Sequence, residues 1–299
     1  MTLLATMSTP PLLDPEFLQR LERLQLVARR AFAGQLKGER RSTRRGTSVE
    51  FADYRNYVLG DDLRFIDWNT YARLERLFLR LFVEEEDLHV YVLLDGSASM
   101  AFGSPAKFDY GRRIAAALGY LGLCGYDRVG AAILGERVRE HLHPLRGRAA
   151  VRRFFRFLTD ARTEGGTHLA RAVEQWAMGP RRTGIALLVS DFLDPHWEGG
   201  VRALALRRYQ LAAIHVLDRS EIDPPLAGDL KLIDCETSEP RDVSISGTLL
   251  RQYRQAVEQF CRQIEATCRR YGGDYLRVTT DVPFEEVILR WLRGSGLVK

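Results

Sequence analysis

The stretch LHVYVLLDGSASM, residues 88–100, decides how this chain is read. The six residues before the aspartate are dominated by apolar and β-branched types, the composition of a strand buried on both faces. Asp95, Ser97 and Ser99 then follow at alternate positions, separated only by Gly96 and Ala98. Such small spacers let three oxygen-bearing side chains turn toward one point. Two readings compete here: a ligand held at that point, or a strand-to-helix turn furnished with good capping residues.

Downstream, strand and helix patterns alternate. The spacing predicts a strand over 89–94, a helix over 107–123, and strands over 128–134 and 138–143 joined by a tight turn at Gly135 and Glu136. Helices over 149–158 and 167–178 precede a fully apolar strand over 185–190 that ends at Asp191. A helix over 200–208, a strand over 210–217, a long helix over 249–271, a strand over 274–279 and a helix over 283–293 complete the series. Such alternation means an α/β fold, a doubly wound and mostly parallel sheet with helices on both faces. Upstream, Asp14 and Pro15 open a helix whose apolar stripe runs through Phe17, Leu21, Leu24, Ala28 and Ala31 to Gly34. Residues 35–87 show no clean period beyond a strand-like 77–83. The expected division is therefore 1–87, an N-terminal helix with an irregular and β extension, and 88–299, the α/β domain.

In a doubly wound sheet, ligands sit at the carboxyl ends of the strands where the strand order reverses. With the order 3-2-1-4-5-6, the strands ending at Asp95 and Asp191 are neighbours at that place. Between them in the chain, Thr167 follows Gly165 and Gly166 at a helix start. Asp95, Ser97, Ser99, Thr167 and Asp191 are thereby expected to converge. Two carboxylates and three hydroxyls form a hard, all-oxygen set that suits Mg²⁺ or Mn²⁺ rather than zinc. The blander possibility is capping, by Thr167, by Asp191 or equally by Asp194. The acids of GDD (60–62) and IDW (66–68), with Arg55, Arg64 and Arg73, read as an ion-pair network rather than a catalytic centre. His141 and His143 share a strand face without a third metal ligand nearby. Cys261 and Cys268 read as small buried hydrophobes.

The first loop, Asp-x-Ser-x-Ser, followed by GGT and a strand-terminal Asp, resembles the metal-ion-dependent adhesion site of von Willebrand factor A domains. That resemblance implies that Ser97, Ser99 and Thr167 coordinate the ion, Thr167 directly or through water. Asp95 and Asp191 would hold coordinated waters and serine hydroxyls. A wider set, EF at 50–51, Arg55, Tyr57, GDD, Arg64, IDW, AR at 72–73 and LLDGSASM, resembles the bacterial family called domain of unknown function fifty-eight. The likeness runs from about Asp14 onward. It implies a von Willebrand factor A-like fold and a divalent-cation-dependent adaptor or chaperone component, partnered with a MoxR-type AAA+ ATPase.

Composition narrows the alternatives. At 299 residues, with 45% hydrophobic and 28% charged, the chain has ordinary globular makeup. No apolar run nears the roughly 18 residues of a membrane span, and no basic start marks a signal peptide, so a cytoplasmic protein is expected. The net charge of +5 invites nucleic acid. However, the basic runs at 37–46 and 136–182 lack interleaved aromatics, which excludes a base-stacking surface. A serine hydrolase built from Ser97, Asp191 and His215 lacks the GxSxG elbow, and no phosphate-binding GxxxxGK[ST] loop occurs. The expectation is a non-enzymatic binding module, with a metal-independent structural or oligomerisation role as the alternative and a hydrolase using Ser97 as a third reading.

Overall fold

The computed structural model describes residues 12–22, 49–58, 61–84, 88–233 and 239–294. In chain order these form a helix α1 over 15–22, β1 (Val49–Asn56), α2 (Trp68–Leu74), β2 (Phe78–Glu84), β3 (His89–Asp95) and α3 (Lys107–Cys124). Next come β4 (Arg128–Leu134), β5 (Val138–Arg146), α4 (Val151–Asp160), α5 (Leu169–Met178), β6 (Ile185–Ser190) and α6 (Trp197–Leu206). The series closes with β7 (Gln210–Leu217), α7 (Arg219–Ile222), β8 (Gly228–Ile233), β9 (Pro240–Ile245), α8 (Gly247–Arg270), β10 (Asp274–Thr279) and α9 (Phe284–Gly294).

Six strands form one sheet in the order β10-β7-β6-β3-β4-β5. Every pairing is parallel except β4 with the edge strand β5. Counted in chain order from the β5 edge, this is the expected 3-2-1-4-5-6. All seven residues of β3 are buried, and they alternate between two cores. Val90, Val92 and Leu94 pack with α1, α3, α4 and α9, whereas Tyr91 and Leu93 pack with α5, α6 and α8. The central sheet is thus mixed, with helices on both sides. Helix α4 lies close against α3 because Gly119 has no side chain: a Cβ there would sit 2.2 Å from the Phe154 ring.

The chain divides into two compact units, Met1–Gln35 with Leu88–Lys299, and Leu36–Asp87. This differs from the expected boundary after residue 87. The reason is apolar burial: Phe17 and Leu21 of α1 are fully enclosed in the first core, where Phe17 meets the Phe284 ring edge-on at 5.2 Å. Each such side chain contributes about 1.5–3 kcal/mol. The rest of the expected stripe, Leu24 to Gly34, lies outside the described residues, as do the basic run 37–46 and Gly60. A hairpin of β8 and β9, which the sequence pattern did not reveal, joins β7 to α8.

Within the unit 36–87, β1 pairs antiparallel with β2. Asp67 caps α2, accepting from the backbone N–H groups of Asn69 and Thr70, and also accepts from the Tyr54 hydroxyl at 2.8 Å. Asp61 pairs with Arg55 at 2.8 Å and Asp62 with Arg64 at 2.7 Å. The aspartates of GDD and IDW therefore serve as ion-pair partners and a helix cap.

Candidate functional site

The parallel register brings the ends of β3 and β6 side by side, with Leu94 opposite Val189. The chain leaves β3 at Asp95, and the loop that follows is fastened on two sides. Gly96 N–H donates to the Leu134 carbonyl at 2.8 Å, and Ala98 N–H to the Gly165 carbonyl at 2.8 Å. In return Glu164 N–H donates to the Gly96 carbonyl, and His168 N–H to the Gly135 carbonyl. Arg139 clamps the seam, its Nη1 donating to the Gly96 carbonyl at 2.8 Å and its Nη2 pairing with Glu164 at 2.9 Å. These bonds bring the 164–168 loop, with Thr167, against the Asp95–Ser99 loop.

Asp95, Ser97, Ser99 and Asp191 are all buried. Both Asp95 oxygens are engaged, Oδ1 by the Ser97 N–H at 3.0 Å and Oδ2 by the Ser190 hydroxyl at 2.6 Å. The hydroxyls of Ser97 and Ser99 lie 3.0 Å apart and bond to each other. Thr167 Oγ1 is buried and has no hydrogen-bond partner among the described residues. It is not a helix cap either. Helix α5 starts at Leu169, whose N–H donates to Asp194 Oδ2 at 2.6 Å, while His196 N–H donates to Asp194 Oδ1 at 3.0 Å. Asp194 therefore satisfies the first N–H of α5 and the N–H just ahead of α6, whose N-cap positions are His168 and His196.

Asp191 meets a residue that sequence reasoning missed. Lys107, wholly buried at the start of α3, places its ammonium 2.7 Å from Asp191 Oδ2 and 2.5 Å from Glu221 Oε1. Asp191 Oδ1 accepts from Leu193 N–H at 3.1 Å. Glu221 is held in place because its other oxygen accepts from the Asp218 N–H, the reciprocal half of a capping box on α7. One signal was available. Only four of the 44 basic residues are lysines, and among the described residues Lys107 is the one wholly buried between two carboxylates. A compact ammonium on a flexible stem reaches both carboxylates from one point.

The electrostatics follow from burial. Desolvation, and then the charge of Asp191, push the Asp95 carboxyl up to about 6. Burial opposes the Lys107 charge, but Asp191 and Glu221 outweigh it and hold the ammonium above its ordinary value. Burial raises Glu221 despite its lysine partner. His215, enclosed beside Asp191, is driven down to about 4 by burial, and its Nδ1 lies 2.8 Å from the Tyr275 hydroxyl. A Ser97–His215 relay is not formed. The Lys107 ammonium thus touches two carboxylates, Asp191 and Glu221, while Asp95 lies near enough to Asp191 to feel its charge.

The donor set fits a hard divalent cation on two counts. Thr167 Oγ1 is an orphaned buried oxygen, and the two buried serine hydroxyls lie 3.0 Å apart beside Asp95. Among the described residues, no group of three or more His, Cys, Asp or Glu side chains is placed to hold a metal. Any ion at this place would rest on hydroxyls, with the carboxylates as indirect supports.

Comparison with known proteins places these features in context. Residues 53–263 match the family described as "Protein of unknown function DUF58". An uncharacterized protein of Mycobacterium tuberculosis is 30% identical over 285 residues, covering 93% of this chain and 90% of its own. Among solved structures, the conserved hypothetical protein BatB from Bacteroides thetaiotaomicron has a TM-score of 0.44 at 14% identity, over 70% of this chain and 98% of its own. An aerotolerance-related membrane protein from Bacteroides fragilis gives 0.42 at 16% identity, over 69% of this chain and 99% of its own. The cytoplasmic expectation is corrected on these findings, since a membrane protein stands among the similar structures. No helix of the described residues is long and apolar enough to cross a membrane.

Proposed function

Starting from a chain that belongs to the DUF58 family, we propose a non-enzymatic, divalent-cation-dependent protein-binding module of von Willebrand factor A-like fold. Ser97, Ser99 and Thr167 hold Mg²⁺ or Mn²⁺, while Asp95 and Asp191 fix the hydroxyls and waters around it. A bound ion would supply an electrophilic centre for an oxygen donor, best a carboxylate of a partner protein. The observation that carries this reading is the orphaned buried hydroxyl of Thr167, in a loop bonded against the one that holds Asp95, Ser97 and Ser99. The strand order and the aspartates at two adjacent strand ends support the fold assignment. The family resemblance names a MoxR-type AAA+ ATPase as the partner.

The test is thermal melting with Mg²⁺ or with EDTA, on wild type, Asp95→Ala and Thr167→Ala. Metal at about 100 times its dissociation constant should add roughly 2.7 kcal/mol to the wild type and far less to the variants. Equal metal-induced shifts in all three proteins sink the assignment. Co-purification of the ATPase in magnesium, and its loss in chelator, tests the partner separately. One observation favours a second, metal-independent reading. The Lys107 ammonium already neutralises Asp191, so the cluster can serve as a purely structural ion-pair core. Melting that is indifferent to metal throughout supports that alternative.

A further inference from the structure

At the opposite end of the same sheet, where β3 begins, lies a cleft of about 440 Å³. Three arginines and three histidines line it, and none of the described lining residues is acidic. Its floor is aromatic. Tyr91 and Trp176, both buried, meet edge-on with ring centroids 5.1 Å apart. Its basic wall is fixed to that floor. The Tyr91 hydroxyl donates to the Arg182 carbonyl at 3.0 Å, tying down the segment between α5 and β6. Arg181 folds back over Trp176, its guanidinium carbon 5.0 Å from the ring centroid and its Nη1 donating to the Trp176 carbonyl. Gly179 permits this fold, because a Cβ there would lie 1.9 Å from Arg181 Nη1. Across the cleft, His141 and His143 occupy alternate positions of β5 with their Nε2 atoms 3.3 Å apart.

Two ring nitrogens at that spacing suit either of two ligands. They can share a tetrahedral cation, or they can offer N–H donors to neighbouring oxygens of one anion. The surroundings decide. A third metal ligand is missing among the described residues, and a fixed guanidinium repels a cation. Guanidinium and imidazole donors together match the several charged oxygens of a phosphate. The volume lies within the range of small-molecule sites and exceeds what bare phosphate fills. We propose that this cleft binds the phosphate group of a small organic phosphate. The site is separate from the Asp95 cluster: the seven residues of β3 put about 20 Å between its two ends.

Calorimetric titration of the full chain at constant ionic strength tests this, with inorganic phosphate, ribose 5-phosphate, acetate and Zn²⁺ as probes. Ribose 5-phosphate should bind saturably and more tightly than inorganic phosphate, and acetate should give no saturable heat. The double variant His141→Gln, His143→Gln and the single variant Arg181→Gln should each weaken binding about tenfold or more. Asp95→Ala should leave it unchanged, which separates this site from the proposed metal site. The two histidines are exposed, so the double variant should melt like the wild type. Absence of saturable heat with either phosphate, or unchanged affinity in the double variant, overturns the proposal. So does Zn²⁺ binding that requires the histidines while phosphate has no effect. Vesicles of phosphatidic acid form a last arm: binding to them without a response to soluble phosphates assigns the cleft to a lipid headgroup and overturns the small-ligand reading.

Discussion

The two ends of the sheet are built from opposite materials. At the carboxyl end of β3 and β6, Asp95, Asp191 and Lys107 are buried, and each of their charged atoms has a fixed partner. At the amino end of β3 the charges are cationic, and His141, His143 and Arg182 are exposed. The difference lies in how each end bears charge. Buried charge must be compensated within the molecule, so removing any one group leaves another stranded in a poor solvent. Exposed charge is solvated and screened, so it costs little to keep or to lose. The acidic end is therefore coupled to stability, whereas the basic end is free to be tuned for binding.

The sharpest way to break this contrast is Lys107→Met. It leaves Asp191 and Glu221 without their cation and should cost about 3–5 kcal/mol in urea unfolding. A loss below about 1 kcal/mol would mean that the cluster is not held by charge.

Next comes the pH response of Asp95. An unfolded aspartate titrates near 3.9, while the folded one is raised to about 6. The native state thus holds this proton more tightly. The stability it gives is fully present below about pH 4 and is lost as pH rises through about 6, with an amplitude of about 3 kcal/mol. In chelator, the difference in unfolding free energy between wild type and Asp95→Asn should trace that window. A difference that is flat from pH 4 to 7 would place Asp95 in a more solvated setting than the structure gives it.

Smaller effects sharpen the comparison. Asp194→Ala removes the acceptor for two backbone N–H groups beside the acidic end and should cost about 1 kcal/mol by thermal melting. At the basic end, the double variant of His141 and His143 should stay within about 0.5 kcal/mol of wild type. A larger loss there would show that the imidazole pair also carries structure.

Legibility in the sequence followed burial. The strands over 128–134, 185–190, 210–217 and 274–279 were readable to the residue, because each is an apolar or β-branched run with polar or glycine punctuation. The β8–β9 hairpin was not, since its residues are mostly exposed and show no alternation to read. The adjacency of the strands that end at Asp95 and Ser190 was legible because their order could be inferred from the alternation. Lys107 and Glu221 were missed because they stand 84 and 30 residues from Asp191 in opposite directions along the chain. No local pattern marks a lone lysine as a buried counterion. Asp194, two residues before His196, was legible as a cap, but its second acceptor role lies 25 residues back at Leu169.

The contact between Phe17 and Phe284 has a consequence in time. The helix over 15–22 is covered in part by α9, so its apolar face lacks that part of its native cover until residue 284 has been made. At about 5–20 residues per second, that interval is on the order of tens of seconds. During synthesis, then, Phe17 and Leu21 wait for part of their cover, although in the finished protein they are among its best-hidden side chains.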